Sequence, residues 1–193
     1  MKWIVITTPD FRPAEAEEIV SLLESVPVLL HLRKPGATAD ECRALLRRIP
    51  ACFYERIVLH DHFALHAEFG LRGVHLNGRN PFPPEGFAGQ LSASCHSLEE
   101  LARRREEGFD YLFLSPVFDS ISKAGYSSAF SAECLRDAAR RGIIREDTVA
   151  LGGICPENVA QLPAYGFGGA AVLGYAWQGV PADRLRALQE ALR

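Results

Sequence analysis

Nothing in this chain has the spacing of a zinc site or a disulfide framework. Its five cysteines, at positions 42, 52, 95, 134 and 155, are odd in number and widely spaced, and no Cys-x-x-Cys pair occurs. Reduced thiols in a cytoplasm are the expectation. A basic excess is also missing. Lysine and arginine number 21 against 24 aspartates and glutamates, a formal charge of −3, which leaves no electrostatic footprint for nucleic acid. No apolar run approaches the length of a membrane span, and the opening MKWIVITTPDF turns polar too soon for a signal peptide. Linkers, low-complexity tracts and internal repeats are lacking, so residues 1–193 are read as one domain.

What is present is a regular alternation. Short apolar runs stand at 3–7, 28–33, 56–60, 73–76, 91–95, 110–115, 148–152 and 169–174. Most are apolar throughout, as parallel strands covered on both faces are. Amphipathic stretches separate them: Ala16, Ile19, Val20 and Leu23 fall at helical spacing, as do Cys42, Leu45, Leu46 and Ile49. Thr38 with Glu41, and Ser97 with Glu100, fit capping boxes, and Pro156 suits the first turn of a helix. Eight strands alternating with helices predict an α/β fold, a compact (β/α)8 barrel, in preference to an open doubly wound sheet. The prolines and glycines of NGRNPFPPEGFAGQ, residues 77–90, predict an abbreviated fourth helix.

In such barrels the chemistry gathers at the C-terminal ends of the strands. There the sequence sets His31, Arg33, Lys34, His60, Asp61, His62, His75, Asn77, Ser94 and His96, then the polar run Ser120, Ser122, Lys123. Gly152 and Gly153 end the seventh strand and Gly174 the eighth. Glycine turns there let backbone N–H groups approach an anion, with a following helix aiming its positive end at the same place. Each residue also has a bland role open to it. The glycines could simply turn the chain, Arg33 and Lys34 could be a solvated strand end, Asp61 could cap a helix starting at His62, and His96 could bond a neighbouring carbonyl.

The segments HLRKPGA, IVLHDHFALHAEFGLRGVHLN, SASCHSLEEL, DYLFLSPVFDSISKAGY, VALGGICPENV and GFGGAAVLGYAW resemble the successive signature segments of the thiamine phosphate synthase/TenI family. The resemblance covers nearly the whole chain and is most specific at SPVFDSISK. It implies a (β/α)8 barrel, a role in thiamine biosynthesis and a site for a phosphorylated thiazole. It assigns substrate and phosphate binding to Arg33, Ser94, Ser120, Ser122, Lys123, Gly152, Gly153 and Gly174, and makes Asp61 a candidate Mg²⁺ ligand. Gly174 replaces a serine often found there. The synthase motif Gln-x-Arg-Glu-Lys reads His31-Leu32-Arg33-Lys34-Pro35, His60 replaces an asparagine, and Asn80 stands where a second magnesium aspartate is expected.

Because those departures thin the diphosphate half of the site, and because the TenI branch carries histidine where His31 stands, the resemblance points first to a thiazole tautomerase. Such an isomerase needs no cofactor, and His96 would carry the proton. The alternatives are thiamine phosphate synthase, a transferase using Mg²⁺, and a non-catalytic thiazole-phosphate-binding regulator. In every case the expected partner is a small phosphorylated thiazole, with no nucleic acid and no membrane, and a homo-oligomer is left open.

Overall fold

The computed structural model describes residues 1–119 and 130–193. Its eight parallel strands are β1 (Lys2–Ile6), β2 (Leu29–Leu32), β3 (Ile57–Leu59), β4 (Gly73–Leu76), β5 (Gln90–Cys95), β6 (Tyr111–Leu114), β7 (Thr148–Leu151) and β8 (Gly169–Val172). They pair in sequence order, and β8 closes on β1 with Lys2 opposite Gly169 and Val5 opposite Val172. The helices are α1 (Glu15–Ser25), α2 (Ala39–Arg47), α3 (Ala64–Phe69), α4 (Leu98–Arg104), α5 (Ala132–Arg140) and α6 (Pro181–Ala191). No described helix is long and apolar enough to cross a membrane.

Local sequence explains most of these boundaries. At α2 the full capping box forms, with Thr38 accepting from the Glu41 N–H and the Glu41 carboxylate accepting from the Thr38 N–H. At α4 only half of it forms. Ser97 accepts from the Glu100 N–H, whereas the Glu100 carboxylate reaches back one residue further, to the N–H of His96 at 2.8 Å. Two expectations need correction. Between β4 and β5 no helix is present, not even an abbreviated one; the chain there makes a small Asn77–Asn80 bridge and turns. After β7, Pro156 opens no α-helix, only turns followed by 3₁₀ segments at Val159–Gln161 and Pro163–Tyr165. Residues 163–166, Pro-Ala-Tyr-Gly, show why: Gly166 takes φ +79°, which ends any further winding.

The bore of the barrel has two chemically distinct halves. Ile4, Ile6, Phe113, Val149 and Ala171 form an apolar half contributed by β1 and β6–β8. Facing it, β2–β5 contribute His31, His60, His75 and Ser92, all buried. Tyr111 joins the halves: its ring packs with Phe113, and its hydroxyl lies 2.8 Å from His31 Nε2. His31 Nδ1 lies 2.9 Å from His60 Nε2, and His75 meets Ser92 Oγ at 2.9 Å and Ser94 Oγ at 2.8 Å.

Outside the bore, Lys34 and Glu15 are each 1% exposed. Lys34 Nζ donates to both Glu15 carboxylate oxygens at 2.6 and 2.8 Å and to the carbonyls of Thr8 and Asp10 at 2.9 Å. This lysine therefore ties the β1–α1 loop to β2, and its ammonium does not reach the barrel mouth. A solvated strand end at Lys34 is ruled out with it.

Two measurements test these interior groups. Lys34→Met leaves the Glu15 carboxylate buried without its cation, and urea unfolding should show a loss of about 3–5 kcal/mol, most of it recovered in Lys34→Met/Glu15→Leu. A loss below about 1 kcal/mol would contradict the pairing. The histidines give an acid signature. Burial, together with the neighbouring histidines and cations, pushes His31 and His60 well below the ordinary 6.5 and His75 to about 3. Their contribution is complete above the unfolded value and is lost as pH falls, because only the unfolded chain then takes up the protons. Three such groups should steepen acid destabilisation to about 4 kcal/mol per pH unit between about pH 5.5 and about pH 4.5. A stability that stayed level to about pH 4.5 would mean the imidazoles charge in place.

Candidate active site at the barrel mouth

Strand periodicity explains which residues reach the mouth. Side chains alternate along each strand, so on β2 the inward series is Leu29, His31, Arg33, while on β5 it is Ser92, Ser94, His96. These last inward positions open into a cavity of about 950 Å³ at the C-terminal end of the barrel. Arg33, His60, Ser94 and His96 line it, with Arg79 and Phe82 from the β4–β5 connection and Phe113, Leu151 and Leu173 from the apolar half.

Asp61 sits beside this cavity and is not a helix cap. The cap position of α3 is Phe63, which makes no side-chain cap bond. The Asp61 carboxylate instead accepts from Arg79 at 2.9–3.1 Å and from the Asn80 amide at 3.0 Å. Asn77 and Asn80 both donate to the His60 carbonyl, at 2.7 and 3.0 Å, which holds the β4–β5 connection against the end of β3. The chain turns sharply just past Asp61. His62 takes φ 54°, a left-handed conformation that costs a non-glycine residue roughly 1–2 kcal/mol, and its ring bonds the Ala37 carbonyl at 2.7 Å.

Mg²⁺ asks for oxygen donors, typically one or two carboxylates with substrate phosphates and water supplying the rest. Asp61 offers one carboxylate and Asn80 an amide carbonyl. The set fits the ion at this minimum, provided that Arg79 gives up its hold on Asp61 when the cation arrives.

His96 is exposed at the rim, with Nδ1 3.2 Å from the Ser115 carbonyl and 3.3 Å from its hydroxyl. The bond to a neighbouring carbonyl anticipated for it is therefore present. Gly152 and Gly153 take φ +102° and +64°. A Cβ on Gly153 would stand 2.2 Å from the Asp119 carbonyl oxygen, and one on Gly152 2.9 Å from Pro116. Close approach of the chain after β6 is thus enough to require glycine at both. The helix ends expected to reinforce an anion site here are lacking, since no α-helix directly follows β7 and α6 begins seven residues after Gly174. Among the described residues, these turns offer an anion backbone N–H groups and no α-helix end. Ser120, Ser122 and Lys123 lie outside the described residues.

Arg33, Ser94 and His96 are thus brought to one cavity and Asp61 to its edge, while Gly152, Gly153 and Gly174 are not among its described lining. Arg79, His60 and the buried Tyr111 went unassigned in the sequence reading. Strand alternation could have found Tyr111, which is inward by parity with Phe113. Arg79, on an irregular connection, gave no such signal.

A family model described as thiamine monophosphate synthase matches residues 3–175. A crystal structure of thiamine phosphate pyrophosphorylase from Bacteroides thetaiotaomicron aligns with TM-score 0.88 and 41% identity, covering 99% of this chain and 97% of that one. The thiamine-phosphate synthase of Thermus thermophilus is 35% identical over 130 residues, 65% of this chain, and the match spans 60% of the Thermus protein. That of Erythrobacter litoralis is 28% identical over 190 residues, 93% of this chain and 88% of its own. These names overturn the tautomerase expectation, and with it the isomerase reading: the relatives are named as synthases, which are transferases. From residue 3 to residue 175, this chain belongs to the thiamine monophosphate synthase family.

Proposed function

We propose that this protein is a thiamine-phosphate synthase, joining a hydroxymethylpyrimidine diphosphate to a thiazole phosphate with release of diphosphate. The observation that carries this reading is the cavity itself. At about 950 Å³ it lies near the top of the range for small-molecule sites and has room for two heterocycles, where a one-substrate proton transfer needs one. Of the arginines that line it, Arg33, Arg79, Arg103 and Arg104, the first two stand near Asp61, and Arg is suited to phosphate oxygens by its planar fork of donors.

In this reaction the thiazole nitrogen forms the new C–N bond while the C–O bond to diphosphate breaks, the departing oxygen keeping the electron pair. The chain's task is to hold the two rings in line and to stabilise the charge that develops on the leaving group. Arg33 and Arg79 meet the diphosphate; Ser94 and His96 border the rings. Asp61 would hold Mg²⁺, which when bound supplies further positive charge to the diphosphate. The thiazole phosphate is assigned to the Gly152-Gly153 turn and Gly174 with Ser120, Ser122 and Lys123. A cytoplasmic setting belongs to the same reading, supported by free thiols at all five cysteines.

Purified protein given both substrates and Mg²⁺ should form thiamine phosphate, and chelation should stop it. Arg33→Ala should lower kcat/KM for the diphosphate substrate about 10²-fold, the scale of a lost charge-assisted contact of about 3 kcal/mol. Asp61→Asn should raise the Mg²⁺ concentration needed, whereas His96→Asn should change kcat by less than about tenfold, below the range of a lost general acid–base group. Absence of product under these conditions, or a His96→Asn loss of about 10³-fold, would refute the reading.

The phosphate turn has its own probe. Gly153→Ala should raise KM for the thiazole phosphate and lower stability by about 2 kcal/mol or more, since left-handed strain and the contact with Asp119 combine. Unaltered KM with normal stability would remove Gly153 from the site.

A further inference from the structure

His31 occupies the centre of a hydrogen-bonded row that runs Tyr111 Oη, His31, His60, at 2.8 and 2.9 Å. No anion is among the groups acting on His31 or His60, and the Asp110 carboxylate that acts on Tyr111 is opposed by Arg72. Lys2 lies 4.3 Å from the Tyr111 ring, and Arg33 and Arg79 act on His60. The imidazoles are therefore neutral, each with one N–H and one lone pair. A neutral His31 bonded at both nitrogens must donate through one and accept through the other.

The direction follows from acidity. A phenol is a better donor and a poorer acceptor than an alcohol, and the strongest base within reach of the Tyr111 hydroxyl is His31 Nε2. With Tyr111 donating there, the His31 proton sits on Nδ1 and is given to His60 Nε2. His60 must then carry its own proton on Nδ1, the ring nitrogen that His31 does not engage, and His60 lines the cavity.

The three histidines also bring nitrogens within 4.8 Å of one another, which invites a metal. Their rings argue against one. His60 and His75 stack at 4.2 Å with an interplanar angle of 22°, so their in-plane lone pairs run side by side and do not converge.

We propose that Tyr111 and His31 are positioning residues that hold His60 in its Nδ1-protonated form, so that His60 gives a fixed N–H donor to a ring nitrogen of the substrate pyrimidine. The identity of the ring rests on the synthase reading. The thiazole nitrogen is the nucleophile there, and a donor bonded to its lone pair would block the reaction, whereas the pyrimidine ring nitrogens are free to accept. The relay thereby selects which heterocycle occupies the polar half of the mouth.

Nitrogen-15 NMR of the whole protein labelled at histidine tests the relay without any turnover. His31 and His60, assigned by comparison with the His60→Asn spectrum, should both show a protonated Nδ1 and a bare Nε2, unchanged from about pH 6 to about pH 8. In Tyr111→Phe the Nδ1-protonated population of His60 should fall. The Kd for the pyrimidine diphosphate, by calorimetry, should rise about tenfold while that for the thiazole phosphate stays within about twofold. A wild-type His60 protonated on Nε2, a Tyr111→Phe variant with the same tautomer and the same Kd, or stoichiometric Zn²⁺ binding lost in His31→Gln would each overturn the proposal. Should Tyr111→Phe fail to fold, the wild-type tautomer decides alone. A relay intact by NMR and calorimetry in a protein that forms no thiamine phosphate would uphold this inference and refute only the synthase reading.

Discussion

Closure of β8 onto β1 is the constraint from which the remaining geometry follows. Once the sheet is a ring, every second residue of eight strands points at a common axis, and the inward set must fill a bore with no edge to spill over. The closing seam is built from small residues, Gly169, Ala170 and Ala171, paired with Lys2, Trp3 and Ile4. A Cβ on Gly169 would come within 2.8 Å of Val149 and 3.1 Å of the Lys2 carbonyl. Larger residues there would push the seam apart, and the two halves of the bore would no longer face each other.

That facing arrangement gives the interior its unusual economy. Polar side chains inside a barrel are costly unless each finds a partner. Here the partner of each is another strand's polar group, so His31 of β2 meets His60 beyond β3 and Tyr111 of β6, and His75 of β4 meets two serines of β5. The same packing that stabilises the bore also brings His60 and Ser94 to the floor of the mouth cavity, where structure and chemistry share residues.

Family resemblance and reaction came apart in an instructive way. His31, Pro35, His60 and Asn80 depart from the synthase pattern, and treating each departure as a lost function favoured a metal-free isomerase. The spatial arrangement weighs them differently. Arg79 comes from a connection with no helix and lies against Asp61, adding a cation at the mouth that no strand-end motif announces. Lys34, beside Pro35, is committed to Glu15 on the outside of the barrel and adds no charge to the mouth. A departure at a single position does not set the charge of a site, which is a sum over whatever the fold brings near.

The eight strands, the closed parallel barrel and the N-caps of α2 and α4 were legible in the chain, because hydrophobic period and capping chemistry act over a few residues. The prolines and glycines of 77–90 signalled a shortened helix between β4 and β5, where the fold has none. Legible too was the gathering of Arg33, Ser94 and His96 at one mouth, since strand parity and the direction of a parallel barrel suffice for it. What only the tertiary structure decided are relations between residues far apart in sequence: the pairing of Lys34 with Glu15, of Asp61 with Arg79, and of His31 with a tyrosine 80 positions away. Even the turns after β7 belong here, for Gly153 is required by the approach of Asp119 from another strand's loop. Partners of that kind are chosen by distances across the barrel, and no local pattern encodes them.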